Sequence, residues 1–139
     1  MTTIDTNTID VGTVIGPFVR ETGLANWNRY AAVNYEFVPI HMDDEAGRAA
    51  GMDGAFGMGN LQISYLHALL REWMGENGRL NKFEVQFRKP NSRGTVRALG
   101  VITAVIPGDD GLTVELDVWT EDAAGDKMAR GTATVTPGR

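Results

Sequence analysis

The chain has 139 residues, close to one domain at the usual spacing of one per about 150. Hydrophobic residues at 42% and charged residues at 22% make a globular balance, which excludes a disordered chain. With no cysteine, two histidines, and 13 basic against 18 acidic residues, disulfides, thiolate or multi-histidine metal sites and duplex nucleic acid are excluded.

Residues 1–10, rich in Thr and Asp, read as a flexible arm, and 11–136 as a single domain. The polar start lacks the cationic residues and apolar stretch of a signal peptide, and no apolar run approaches the ~20 residues of a membrane span. The expected compartment is the cytoplasm.

The first half of the domain is helical in rhythm. Trp27, Tyr30, Ala31 and Asn34 recur at helical spacing, which predicts a short helix over 25–34. Pro39 lacks an N–H and holds Val38 out of the helical region, so 35–41 is a turn or extended piece. A second helix fits 44–50, with Asp43 as its N-cap, Asp44 and Glu45 at the positive dipole end and Gly51 closing it. From Met58 to Met74 the apolar stripe is broad enough to predict a buried helix, with His67 a core or interface residue.

The second half alternates as strands do. Phe83, Val85 and Phe87 interleave with polar residues, as do Leu112, Val114, Leu116 and Val118. Segments 95–106 and 128–136 are rich in Val, Thr, Ile and Ala, and turns fall at 107–111 and 124–126. Short turns between consecutive strands imply an antiparallel sheet. A long helix ahead of it gives an α+β class, with the sheet wrapping the helix. The free strand edges favour pairing with a second copy or a related subunit.

Three features carry possible chemistry. Glu36 and His41 flank Pro39, within reach across a turn, and a carboxylate with an imidazole can hold and deprotonate one water. The alternative is local capping and packing. Gly54, Gly57 and Gly59 crowd the start of the long helix, where free N–H groups suit a developing negative charge. The alternative is close packing. Arg88, Lys89, Arg93 and Arg97 form a run with no acidic residue among them, suited to coenzyme phosphates or an acidic carrier. The alternative is charge that protects a strand edge.

The segment Tyr30 to Glu45 resembles the signature of the MaoC-like hydratase/dehydratase family, which runs Asp-x-Asn-Pro-(Leu/Ile)-His ahead of an acidic-capped helix. Here Glu36, Val38, Pro39, Ile40 and His41 occupy it. Phe56-Gly57-Met58 stands where the family has His-Gly-Met, and Phe83 to Pro90 is similar to its first strand after the helix. The resemblance spans Val11 to Val135. It implies a hot-dog fold with a central helix near 57–74, paired as a homodimer or with a related hot-dog subunit. It implies reversible syn hydration of 2-enoyl thioesters of CoA or acyl carrier protein, with no metal or redox cofactor. Carried over, Glu36 and His41 are the catalytic pair, and the Gly57 N–H polarises the thioester carbonyl. Val38, Phe56, Gly57 and Met58 then bind substrate, joined by Arg88 of the basic run.

Glu36 in place of Asp, Val38 in place of Asn and Phe56 in place of His fit two accounts. The pocket is remodelled for a bulky apolar acyl group, or the chain is the non-catalytic partner subunit of a heteromeric dehydratase. A hot-dog acyl-CoA thioesterase ranks last, since residues 57–71 hold no carboxylate.

Overall fold

Alternation builds the sheet. Along β4 (Gly111–Glu121), Val114, Leu116, Val118 and Thr120 are buried, while Glu115 and Asp117 face solvent. β3 (Gly94–Gly108) and β5 (Lys127–Thr136) flank it, and β1 (Val14–Thr22) and β2 (Arg79–Phe87) form the edges. All pairings are antiparallel, in the order β1-β3-β4-β5-β2. The computed structural model describes residues 9–109 and 111–138.

Among the described residues three α-helices accompany the sheet: α1 (Leu24–Asn34), α2 (Asp44–Ala49) and α3 (Gly59–Met74). α3 lies in the curve of the sheet, so the α+β hot-dog arrangement implied by the resemblance is the one observed. Leu61, Tyr65, Leu66, Leu69, Leu70 and Met74 join Ile102, Val114, Leu116, Val118, Ala133 and Val135 in one core. Burial of α3 is one-sided, however. Asn60, Ser64, His67 and Arg71 form an exposed polar stripe, which removes His67 from the core.

Two buried polar clusters fix the helices on the sheet. The Thr22 hydroxyl of β1 accepts from the Trp27 indole at 2.9 Å and from the Tyr65 hydroxyl at 3.3 Å, joining β1, α1 and α3. On α3, the Gln62 amide oxygen accepts from the Thr120 hydroxyl at 2.5 Å. That hydroxyl also accepts the Ala129 N–H at 3.1 Å. Satisfied buried polar groups of this kind specify one packing over its alternatives.

Strand β1 escapes a reading by periodicity. Its register shifts between Ile15 and Phe18, around Gly16-Pro17, so inward and outward positions fall out of step. Gly16 has φ 94°, and a β-carbon there would come within 2.8 Å of the Ala98 carbonyl. The expected arm falls on 1–8, outside the described residues, and on 9–10. Ile9, only 8% exposed, packs into the core, so the packed unit begins by residue 9. No helix among the described residues is long and apolar enough to cross a membrane.

Truncating Leu66, which is fully buried, should cost about 2–5 kcal/mol. His67→Ala, one position on, should stay within about 0.5 kcal/mol of wild type. Urea unfolding of both variants measures the contrast; comparable losses would contradict the one-sided burial of α3.

Candidate active site

The site grows from the connection between α1 and α3. α1 ends at Tyr35, left-handed at φ 55°, and the Glu36 N–H returns to the Ala31 carbonyl at 3.0 Å. A bulky residue with positive φ is uncommon and marks a backbone held by its surroundings. The Tyr35 and Phe37 rings meet edge-on at 5.4 Å on the surface. Val38 is extended, as Pro39 requires, and Pro39–His41 makes one 3-10 turn. Asp43 then caps α2, its carboxylate accepting the Glu45 N–H at 3.2 Å. Expected positions and observed ones agree here to within a residue.

His41 is 9% exposed, and its Nδ1 lies 2.7 Å from the Phe56 carbonyl. A carbonyl only accepts, so Nδ1 carries the hydrogen and the neutral ring presents its lone pair at Nε2. The Phe56 N–H donates to the Ile40 carbonyl at 3.1 Å, and the Phe56 ring stands edge-on to the imidazole at 5.4 Å. The two connections are thus laced together at the start of α3. Glu36 is half-buried, and among the described residues its carboxylate has no hydrogen-bond or ion-pair partner. Its oxygens and His41 Nε2 are the uncommitted proton acceptors of this connection.

The glycine segment is organised by packing. The Gly57 N–H donates to the Asn91 carbonyl at 2.7 Å, so it is not free to polarise a thioester, contrary to expectation. A β-carbon at Gly57 would overlap the Asn91 amide and the Trp27 indole nitrogen, and one at Gly59 would press on the Phe87 ring. Met58, expected at the substrate, has no exposed surface and belongs to the core. Val38 presents a partly exposed side chain on the surface, and Phe56 acts on His41 through its carbonyl and its ring. Gly59 and Asn60 remain, in the first turn of α3, where N–H groups have no intrahelical acceptor.

The basic run is largely neutralised by carboxylates from elsewhere. Lys89 pairs with Asp122 at 2.6 Å and Asp126 at 3.3 Å, Arg93 with Asp44 at 2.7 Å, and Arg97 with Glu121 at 3.7 Å. Arg88 alone of the four lacks a carboxylate among the described residues; it donates to the Gln86 amide oxygen at 2.5 Å.

Two residues of the site were missed in the sequence. Asp44 does more than favour a helix dipole: its carboxylate accepts the Ala55 N–H at 3.0 Å and the Arg93 guanidinium, joining α2, the glycine segment and the turn before β3. Asn91 is 1% exposed, and neither polar atom of its side chain has a partner among the described residues. The only sequence signal for it was its place in a Pro-Asn-Ser turn.

The family model described as "MaoC like domain" matches residues 11–123. The chain belongs to the MaoC-like family. Among solved structures it is similar to the (R)-hydratase from A. caviae involved in PHA biosynthesis, at 21% identity and TM-score 0.83, covering 96% of this chain and 100% of that one. R-hydratase PhaJ1 from Pseudomonas aeruginosa is 16% identical with TM-score 0.85, covering 96% of this chain and 84% of that one. The ChsH1-ChsH2 complex from Mycobacterium tuberculosis supplies a chain at 18% identity and TM-score 0.81, covering 94% of this chain and 99% of that one. At these identities the structural overlap establishes the hot-dog fold alone. No curated sequence matches the chain.

The Ala55 N–H, and after it Arg93, hold the Asp44 carboxyl below the usual aspartate value. Its stabilising contribution is therefore complete above the unfolded value of about 3.9 and is lost as pH falls further, through its lowered value. In urea unfolding across that range, Asp44→Asn should be less stable than wild type near neutral pH. The gap should close in acid; a gap independent of pH would contradict the staple.

Proposed function

We propose that this MaoC-like chain is a hydratase/dehydratase of 2-enoyl and 3-hydroxyacyl thioesters. The observation that supports the reading is the 2.7 Å contact from His41 Nδ1 to the Phe56 carbonyl, which leaves Nε2 as the lone pair of a base five residues from Glu36, whose carboxylate has no partner among the described residues. Family membership supports the reaction class.

In the proposed reaction a water lies between Glu36 and His41 Nε2. Nε2 takes one proton as the water oxygen bonds C3 of the enoyl group. The C2–C3 π electrons move towards the thioester carbonyl, which becomes an enolate. The imidazolium then returns the same proton to C2, on the same face, so one water is added and nothing else is consumed. Glu36 holds the second hydrogen of the water and balances the transient positive charge on His41. With the Gly57 N–H committed to Asn91, the enolate oxygen is stabilised by Gly59 and Asn60 N–H groups in the first turn of α3. Dehydration runs the same steps backwards. The thioester carrier in this scheme is CoA or an acyl carrier protein, and Arg88 is the cation of the basic run left to meet it.

We further propose that the exposed edge of β2 pairs with a second hot-dog subunit, either another copy or a related chain. β2 is an edge strand with one side unpaired, and Phe87 at its end is half exposed. One of the similar solved structures is a complex of two named subunits. Sedimentation of the purified chain should give twice the monomer mass, or a monomer that doubles only when a related subunit is added.

Loss of the conjugated absorbance of a 2-enoyl-CoA measures the hydration directly. Glu36→Gln and His41→Ala should each lower kcat by about a hundredfold or more. Full activity in both variants, or no turnover by wild type alone or with its partner subunit, would assign the chain a non-catalytic role.

A further inference from the structure

A hollow of about 360 Å³ lies between β1, α1 and α3. Its apolar part comes from Tyr30, Val33, Leu61 and Tyr65. Asn34 on its wall stands two residues before Glu36, and Leu61 lies in the first turn of α3. Chain continuity thus ties this hollow to the segment that holds Glu36 and to the helix start that carries the Gly59 and Asn60 N–H groups.

Two arginines line the same space, Arg20 from β1 and Arg29 from α1. The protein carries a net charge of -5, yet among the described residues neither arginine pairs with a carboxylate. Arg20 is held in place: its guanidinium stacks 4.0 Å from the Phe18 ring centroid and donates once, to its neighbour's carbonyl at 2.8 Å. Four of its five N–H donors remain. Phe18 and Thr22 are the buried positions of this part of β1, so Arg20, stacked on Phe18, stands on the helix side of the strand. The Tyr65 hydroxyl is occupied by Thr22, and burial, opposed by that bond and by the nearby Arg20 charge, keeps the phenol protonated. The hollow thus combines an apolar floor with an unneutralised, partly immobilised cationic rim.

We propose that this hollow is a specificity subsite for an acyl group whose far end is a carboxylate, bound by Arg20 and Arg29. An apolar floor fits the methylene chain, and guanidinium groups match carboxylate oxygens in pairs. A phosphate of the carrier has the same anionic chemistry but brings no apolar chain to cover Leu61, Tyr30 and Tyr65. This inference rests on the hydratase reading above.

The test compares 2-enoyl-CoA substrates matched in length, one series ending in a methyl group and the other in a carboxylate. Wild type should favour the carboxylate-tipped member by roughly tenfold or more in kcat/KM, since one such factor corresponds to about 1.4 kcal/mol. Arg20→Gln and Arg29→Gln should each bring that ratio towards one, chiefly through KM. A wild-type ratio at or below one overturns the proposal. So does an equal loss on both series in the variants, which would move the arginines to the carrier phosphates. If no thioester is hydrated, the hydratase reading fails separately, and equilibrium dialysis of the same two series against wild type and variants decides the subsite. Preferential binding of the carboxylate-tipped series, lost in Arg29→Gln, supports it; equal binding of both overturns it.

Discussion

The hydrogen bond from His41 to the Phe56 carbonyl joins two connections fifteen residues apart, and the site depends on it. Without it the imidazole has no assigned tautomer and the loop ending in Pro39–His41 has one fewer tie to the start of α3. Around it lie the Phe56 N–H to Ile40 carbonyl bond, the Gly57 N–H to Asn91 carbonyl bond and the Asp44 carboxylate. Each uses main-chain atoms that a helix or strand would otherwise have satisfied. The irregular backbone between α1 and α3 is thereby tied down at Ile40, Ala55, Phe56 and Gly57, which is how an irregular segment holds chemical groups in fixed places.

That segment needs a rigid floor. α3 provides it, with Leu66 and Leu70 fully buried and Gln62 hydrogen-bonded to Thr120 across the core. The Thr22, Trp27 and Tyr65 cluster fixes α1 to the same base, so the residue that starts the proposed site, Glu36, follows from a helix that cannot slide. Fold and site are therefore coupled through side chains in the core, not through the loop alone.

Features governed by near neighbours were legible in the sequence. Asp43 caps α2 because its side chain reaches the N–H two residues on, and Pro39 sets the conformation of Val38 directly. The strands from 79 onward announce themselves by alternation, and α3 by its stripe. Features governed by distant partners were not legible. The Gly57 N–H is taken by a carbonyl 34 residues later, and the cations at 89, 93 and 97 find their carboxylates in β4, the turn after it and α2. β1 was hidden by its own bulge, where the alternation breaks. The family signature did locate Glu36 and His41 in one connection, while Phe56 in place of His gave no sign that the backbone carbonyl at 56, as well as its ring, meets the imidazole.

The stretch from 88 to 97 is bolted down by ions drawn from three different parts of the molecule, and every cation in those pairs is more than two-fifths exposed. Water and dissolved electrolyte reach the cations of these pairs, and screening weakens the pairs. The apolar core and the main-chain bonds at His41 and Gly57 do not share that sensitivity. Ionic strength therefore acts on this molecule selectively: concentrated salt loosens the strap that carries Asn91 against the glycine segment while leaving the sheet and its central helix as they are.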